Sequence, residues 1–413
     1  MKKSLFAIAA VGAFAGAAQA QSSVTVYGIL DVGFQGRTAR MSGTEVPSAV
    51  KTNTTAFSGQ GAESTSRLGF RGNEDLGGGT RAFFTAEFDL APTDYNLSGN
   101  TQDGVFNRQT FVGIGQKGIG QAAIGTQYTP VHVAVGRTDP GQANNMQGNL
   151  VYAVNSSTGA TESTIPSYSV RYNNALTLQT ERISGFVLSA IYNNNNSNAN
   201  NPATLQTVGN NQAYGLGLNF VWNKLNIDVA TNQSRQQAIS GSAVQTASGP
   251  SAAVRNSAVP NLLGNNVNWS QNYVAATYDF GIFTAYAQYL STNMTSNANN
   301  QAYIQRNVSQ IGIRGYVTKT VEAWASGGMG RLSAGGLSTF AANSATGAAS
   351  SQNALATTTR TTSDLNGYQL GANYWLSKRT NMYAIYGQST RSQSAQISAA
   401  GTSSYGLGVR HTF

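Results

Sequence analysis

The sequence predicts an all-β chain that forms a 16-stranded antiparallel transmembrane β-barrel. Three observations support this fold class. Short segments of alternating apolar and polar residues recur along the chain, tight and long connections alternate between them, and no apolar run after the N-terminus is long enough for a membrane helix. Only 10% of residues are charged, yet 19 Tyr and 16 Phe argue against a disordered chain.

Residues 1–20 have the pattern of a secretory signal peptide. Two lysines open the chain, an apolar run too short to span a bilayer follows, and Ala18-Gln19-Ala20 supplies a small-x-small cleavage site. Cleavage would leave residues 21–413 as one barrel domain, since no linker interrupts them. The chain contains no cysteine, so this exported domain must be stabilised without disulfides.

Sixteen segments alternate with the period of a β-strand, an even number as a closed meander requires. They are 23–36, 65–73, 80–90, 105–115, 121–128, 167–175, 184–193, 212–222, 225–234, 270–280, 282–291, 305–316, 321–331, 365–376, 381–390 and 403–413.

The connections fall into two alternating classes. One class is tight: 73–79, 117–120, 173–177, 223–224, 280–281, 318–320 and 377–380. The other is long and rich in Ser, Asn, Thr and Gly: 37–64, 91–104, 129–166, 194–211, 235–269, 292–304, 332–364 and 391–402. Short periplasmic turns and long external loops are typical of a membrane barrel, whereas a soluble sandwich does not need this alternation.

Individual strands predict an apolar outer face and a polar inner face. In YGLGLNFVW (214–222) the large apolar residues alternate with Gly and Asn, in LNIDV Asp228 lies opposite the apolar residues, and in QIGIRG Arg314 lies opposite two isoleucines. SYSVRY likewise places Tyr168, Val170 and Tyr172 on the lipid side, opposite Arg171. A soluble sheet with one wet face would alternate in the same way, but aromatic residues also gather near strand ends, as a girdle at the membrane interface requires. These are Tyr27, Trp222, Tyr278, Tyr289, Tyr374 and Trp375.

Catalysis has little support in the sequence. The only histidines are His132, at the start of a long segment with no nucleophile nearby, and His411, on the lipid side of the last strand. Histidine, cysteine and clustered carboxylates are too few for a metal site. We therefore expect no catalytic residue, no metal and no cofactor, and the scattered basic residues predict no nucleic-acid partner.

Five arginines on the early strands are the most informative polar feature. By the alternation they project away from lipid, although the parity of Arg108 in FNRQTFVGIG is ambiguous: Arg67, Arg71, Arg81, Arg108 and Arg171. Each could instead pair locally with a nearby carboxylate: Glu74, Asp75, Glu87 or Asp89. Because arginines outnumber acids on these strands, we predict a basic wall, which favours anions in a pore.

Several segments resemble the general porins of Gram-negative bacteria, most closely the beta-proteobacterial and Neisseria-type branch. They are RLGFRGNEDLGGG, FNRQTFVGIGQKGIGQAAIGTQY, SYSVRYN, YWLSKRT and YGLGVRHTF, in the order of that family and over essentially the whole of 21–413.

The resemblance implies a homotrimer in the cell outer membrane, in contact with lipid and lipopolysaccharide, that passes small hydrophilic solutes by diffusion. It implies that the third external loop, about 129–166, folds into the pore and sets Asp139 and Glu162 against the wall arginines. The terminal Phe413 resembles the signal read by the barrel assembly machinery.

The favoured function is therefore a passive, weakly anion-selective diffusion channel that carries out no chemistry. Two alternatives remain open from the sequence: a substrate-specific anion channel, and a surface adhesin or receptor that uses the long loops.

Overall fold

The computed structural model describes residues 23–43, 46–98, 105–153, 167–196, 209–238, 267–297, 302–336, 360–393 and 398–413. Over these residues the chain is one antiparallel sheet that closes on itself, with one α-helix inside it. The predicted signal peptide and Glu162 lie outside the described residues.

The strands are β1 (Ser23–Gly43), β2 (Val46–Ser58), β3 (Arg67–Gly77), β4 (Thr80–Asp89), β5 (Asn107–Gln116), β6 (Gly120–Tyr128), β7 (Arg171–Thr180), β8 (Phe186–Asn196), β9 (Gly209–Trp222), β10 (Leu225–Ala238), β11 (Val267–Asp279), β12 (Thr284–Ser296), β13 (Tyr303–Tyr316), β14 (Val321–Gly335), β15 (Thr361–Trp375), β16 (Thr380–Gln393) and β17 (Ser398–Thr412). The helix α1 (Pro130–Thr138) lies between β6 and β7. No helix in the described part of the chain is long and apolar enough to cross a bilayer.

Seventeen described strands occupy sixteen positions in the wall. β1 pairs with β3 through Ser23–Ile29 and with β2 through Gly33–Gly43, so β2 and β3 share one side of β1 (17 − 1 = 16). β1 also pairs with β17, which closes the barrel. The predicted fold class is confirmed.

The predicted outer face is confirmed on the long strands. On β9 Tyr214 and Trp222 are exposed while Asn219 is buried, and on β13 Ile311 is exposed while Arg314 is buried. The lipid-facing surface is therefore apolar and the interior polar, the reverse of a soluble sheet.

Three turns illustrate how local sequence ends the strands. Between β3 and β4, Gly77, Gly78 and Gly79 all adopt positive φ angles of 82°, 62° and 79°, which glycine reaches without a side-chain clash. Asn223 also has a positive φ, 49°, in the two-residue turn between β9 and β10. The turn predicted at 173–177 is wrong, because these residues lie inside β7, where 175–177 pair with β6, and the turn lies at 181–185.

Some residues predicted to face lipid lie inside. Tyr168 and Val170 precede β7 and are buried in an inner hydrophobic cluster, and Tyr172 is buried in another. The Tyr27 hydroxyl donates to Glu87 on the inner face (3.1 Å), and Trp375 is paired opposite the buried, inward-facing Asn381. These assignments were wrong because alternation alone does not reveal where a strand begins or where the interior contains aromatic rings.

The segment 37–64, predicted to be one external loop, is mostly strand. β1 continues to Gly43 and β2 returns along it from Val46. Residues 59–66 then leave the wall, and they connect β2 to β3 through the interior. We call residues 59–66 the inner lobe.

The helix α1 begins the third external connection, residues 129–170, which we call the third loop. The Thr129 hydroxyl accepts a hydrogen bond from the His132 amide (3.2 Å), and Pro130 occupies the first turn, where its missing N–H costs nothing. Val131 and Val135 are buried on the side that packs against β9, β10 and β11. The helix therefore lies inside the barrel, as the family resemblance implied for this loop.

Candidate functional site

Ion pairs cross the inner face of the early strands. Arg108 donates from Nε to Glu87 Oε1 (2.7 Å) and from Nη1 to Asp89 Oδ1 (2.8 Å). Arg67 Nη1 lies 3.8 Å from the same Glu87 oxygen. The local-pairing alternative thus holds for two of the five predicted arginines.

Arg108 faces the interior because the β4–β5 register shifts next to it. Up to Glu87 the strands pair in step, but Phe88 is paired with Asn107 while Glu87 is paired with Gln109. The bulge places an extra residue in β5 and turns Arg108 inward. This bulge is the reason that the alternation around Arg108 is ambiguous in the sequence.

A tyrosine hydroxyl joins two of the arginines. Tyr128 Oη accepts hydrogen bonds from Arg108 Nη2 and Arg171 Nη2, both at 3.1 Å. The Arg171 guanidinium also lies over the Tyr128 ring, 4.7 Å from its centroid. Among the described residues Arg171 has no ion-pair partner, so its charge is not offset by a carboxylate.

Arg71 and Arg81 are exposed towards the interior. Arg71 lies over the Tyr27 ring at 5.2 Å, and Arg81 donates to Gln121 Oε1 at 2.7 Å. Neither has an ion-pair partner in the described part of the chain. The five arginines therefore lie on one sector, β3 to β7, two of them exposed and two nearly buried.

The Asp139 carboxylate links separate parts of the third loop to each other and to strand β13 of the wall. Its carboxylate accepts from the Ala143 amide (2.8 Å), Asn149 Nδ2 (2.8 Å) and Gln310 Nε2 (3.1 Å), and the side chain is buried. Burial raises the pKa of Asp139, and the hydrogen bonds from Ala143 and Asn149 oppose that shift. The expected position of Asp139, facing the wall arginines across the lumen, is not the one in the structure.

Beyond Asp139 the third loop follows the inner wall. Asn144 and Gln369 on β15 exchange two amide hydrogen bonds (2.8 and 2.9 Å), and the Gln147 amide donates to Ser404 Oγ on β17 (3.0 Å). The chain then returns, and the Leu150 amide donates to Gln310 Oε1 on β13 (3.0 Å).

Acidic and basic side chains form a second network on the opposite strands. Arg314 on β13 makes two bonds of 2.7 Å to Glu322 on β14 and a third, of 2.8 Å, to the Pro140 carbonyl of the third loop. Glu63 of the inner lobe lies 3.2 Å from Arg410 on β17. These pairs hold inward segments against the wall.

The inner surface is covered unevenly as a result. Beneath the third loop, the inward-facing Gln271, Gln310 and Gln369 are 0%, 1% and 0% exposed. On β3 and β4 the inward-facing Arg71 and Arg81 are exposed. The described inward segments therefore leave the β3–β4 part of the arginine sector open to water, while Arg108 and Arg171 are buried.

His132 lies beside this sector on α1. Its Nδ1 is 3.2 Å from the Tyr168 hydroxyl, and its ring is 4.6 Å from that of Tyr128. Burial, and then the positive charges of Arg171 and Arg108, hold the His132 pKa well below 6.5. The imidazole is therefore neutral and contributes packing to the cluster.

A family profile described as Gram-negative porin matches residues 7–394 of the chain. The chain belongs to this family. The porin is 30% identical to an outer membrane porin protein of Bordetella pertussis (strain Tohama I) over 425 aligned residues, which cover 100% of both chains. It is 38% identical to outer membrane porin protein 32 of Delftia acidovorans over 130 residues, 32% of this chain and 33% of that one.

Solved structures share the fold of this porin at low sequence identity. The anion-selective porin from Comamonas acidovorans matches with a TM-score of 0.62 and 19% identity, over 95% of this chain and 100% of that one. Outer-membrane expressed OmpT of Vibrio cholerae matches with a TM-score of 0.56 and 15% identity, over 95% and 98%. Family membership confirms the predictions of a channel rather than an enzyme and of an outer-membrane location.

Two features of the site were missed from the sequence. The inner lobe was assigned to an external loop, and Tyr128 was not recognised as the partner of two arginines. The composition gave no signal for the first, since AFSGQGAESTS (56–66) is rich in Ser and Gly like the other long connections. The second depends on the β6–β7 register, which shifts between Gly125 and Gln127.

Proposed function

We propose that this porin is a passive diffusion channel for small hydrophilic solutes and ions, with a weak preference for anions. The observation that carries the proposal is the open arginine sector on β3–β7. There Arg71, Arg81 and Arg171 lack carboxylate partners among the described residues, whereas Arg67 and Arg108 share Glu87 and Asp89.

The physical basis is electrostatic. Fixed charges beside a narrow aqueous path in a low-dielectric wall raise the local concentration of counter-ions and lower that of co-ions. Five arginines against three carboxylates, Glu87, Asp89 and Asp75, leave this sector net positive, and two of the guanidiniums without an ion-pair partner among the described residues are exposed. The Comamonas acidovorans porin that shares this fold is anion-selective, which supports the same preference.

We further propose that the channel is a homotrimer surrounded by outer-membrane lipid and lipopolysaccharide. We also propose that the barrel assembly machinery inserts it and reads Phe413 as the signal. Membership of the porin family supports the oligomer.

The decisive test is the reversal potential of the double variant Arg71→Gln/Arg81→Gln in planar bilayers under a KCl gradient. Neither residue is ion-paired within the described chain, so their removal leaves no buried carboxylate without a partner. We expect the anion-to-cation permeability ratio to fall by roughly half, with the barrel intact.

Arg331→Gln is the matched control. Arg331 points outwards at the external end of β14 and is 66% exposed, 3.3 Å from Asp364. Its replacement should leave the reversal potential unchanged. If the double variant keeps the anion preference, or if the control shifts the reversal potential equally, the assignment of selectivity to this sector is wrong.

A further inference from the structure

The inner lobe lies flat against the inside of the barrel. It leaves the wall after β2 and crosses β1 and β17 before it returns to β3. Ala62, fully buried, packs against the inward side of Gly406 on β17, and its amide donates to Tyr383 Oη on β16 (3.2 Å). The lobe thus occupies space that the wall alone would leave to the lumen.

Glu63 anchors the lobe to three strands. Its carboxylate accepts from Asn373 Nδ2 on β15 and Asn381 Nδ2 on β16, both at 2.8 Å, and pairs with Arg410 on β17 at 3.2 Å. The side chain is 4% exposed. Because a buried carboxylate is costly without such partners, the lobe has a strongly preferred position.

A second anchor lies one residue further along. The Ser64 amide donates to Asp31 Oδ2 on β1 (2.7 Å), and Tyr383 Oη donates to the other oxygen of Asp31 (2.6 Å). Asp31 is also fully buried. The lobe is therefore fastened at two consecutive residues, Glu63 and Ser64, to strands on either side of the barrel closure.

Asn145 of the third loop joins the two inward segments. Its Nδ2 lies within hydrogen-bond distance of the Gln60 carbonyl (3.2 Å), the Gly61 carbonyl (3.0 Å) and Thr65 Oγ1 (3.1 Å). Its backbone amide donates to the Ala62 carbonyl (2.9 Å). The neighbouring Met146 contacts the same place on β17 as Ala62.

The lobe also borders the open arginine sector. Arg67 donates from Nε to the Thr65 carbonyl and from Nη2 to Ser64 Oγ, both at 2.9 Å. One side of the lobe therefore meets the third loop, and the other side meets the wall along which we place the aqueous path.

We propose that the inner lobe is a second constriction element, and that Asn145 is the positioning residue that makes it and the third loop one ring. The ring sets the largest solute that can pass, because neither segment can retract without breaking the bonds at Asn145. The inference rests on the diffusion function proposed above, but it concerns the width of the pore and not its charge preference.

The first test is Asn145→Ala, which removes the side-chain bonds and changes no charge. We expect the open-channel current noise to rise about twofold or more, and larger neutral polymers to enter the pore, because a released segment fluctuates. The reversal potential should not change. Asn145→Gln, which keeps a donor amide, should show current noise between that of Asn145→Ala and that of the unmodified porin.

Asn297→Ala is the matched control. Asn297 follows the external end of β12, and its exposed amide donates to Asn268 Oδ1 on β11 (3.3 Å), away from both inward segments. Noise and polymer exclusion should match those of the unmodified porin. If Asn145→Ala behaves like this control, the inference is overturned.

A second test does not depend on loosening the ring. The porin has no cysteine, so Gln60→Cys gives one thiol on the half-buried lobe, and Thr55→Cys gives one on the outward face of β2, the face of the exposed Phe57. A methanethiosulfonate reagent should lower single-channel conductance in the Gln60→Cys variant and leave it unchanged in the Thr55→Cys variant, with labelling confirmed by mass.

An unlabelled thiol in the Gln60→Cys variant, or a labelled one with full conductance, would show that the lobe does not border the ion path. An unmodified porin without any conductance would instead overturn the proposed function itself. The two failures are therefore distinguishable.

Discussion

Tyr128 illustrates how single residues control the charged sector. Its one oxygen accepts from both Arg108 and Arg171. The two guanidiniums are nearly buried, and Arg171 has no ion-pair partner among the described residues. For Arg171 the phenol oxygen and ring thus take the place of a carboxylate, which leaves the positive charge of Arg171 uncompensated.

Tyr128→Phe should lower stability by about 1–3 kcal/mol, since two buried donors lose an acceptor. Thermal unfolding in detergent, followed by circular dichroism, measures the change. Tyr214→Phe makes the same chemical change on the exposed outer face and should have no effect. Equal unfolding temperatures for both variants would contradict the role given to the Tyr128 hydroxyl.

Among the elements, the third loop depends on inward-facing glycines in the strands below it. A Cβ at Gly217 would lie 3.0 Å from Pro130, and one at Gly312 would lie 2.5 Å from Pro140. A Cβ at Gly387 would overlap the Gln147 carbonyl oxygen. Glycine at these sites lets the loop backbone approach the wall closely.

Gly387→Ala should displace the 144–148 part of the loop, because backbone on both sides resists the new methyl group. We expect a loss of stability of about 1–3 kcal/mol together with altered single-channel conductance. Gly401→Ala, on the neighbouring β17, places its Cβ at an ordinary 3.6 Å from the nearest atom. That variant should have the conductance and unfolding temperature of the unmodified porin. A similar effect at both sites would contradict the proposal that Gly387 lets the third loop approach the wall.

At the scale of the whole molecule, the barrel closes between its two ends. β1 pairs with β17 from Ile29–Thr412 to Ser42–Ala399. Next to this pairing, Gly28 of β1 and Phe413, just past β17, exchange backbone hydrogen bonds of 3.1 and 3.2 Å. Closure pairs the backbone N–H and C=O groups of the edge strands, which would otherwise have no hydrogen-bond partner in lipid. The Phe413 ring itself is exposed on the outer face.

Phe413→Ala keeps the closing backbone bonds and removes only the ring. If the ring is the assembly signal, folded porin in the outer membrane of cells should fall several-fold, while purified chains refold in detergent with unchanged yield. Phe84→Ala, another exposed outer phenylalanine, should alter neither quantity. An equal loss in cells and in detergent would point to packing instead of recognition.

The strands and their outer faces could be predicted because each depends on neighbours in sequence. Alternation places Tyr214 and Trp222 on the same side of β9 wherever that strand lies, and a lipid solvent makes that side apolar. The same local rule identified the inward arginines Arg67, Arg71 and Arg81. It left Arg108 ambiguous because of the bulge in β5, and it was wrong at the start of β7, where the register also shifts.

The arrangement inside the barrel was decided only by the tertiary structure. Glu63 meets Asn373, Asn381 and Arg410, all more than 300 residues away in the chain, and Asn145 meets the inner lobe from 80 or more residues away. Such contacts exist only after β17 has closed onto β1, so no local pattern records them. The sequence by itself determined which side of each strand faces lipid, and closure determined which inward residues are covered and which remain beside water.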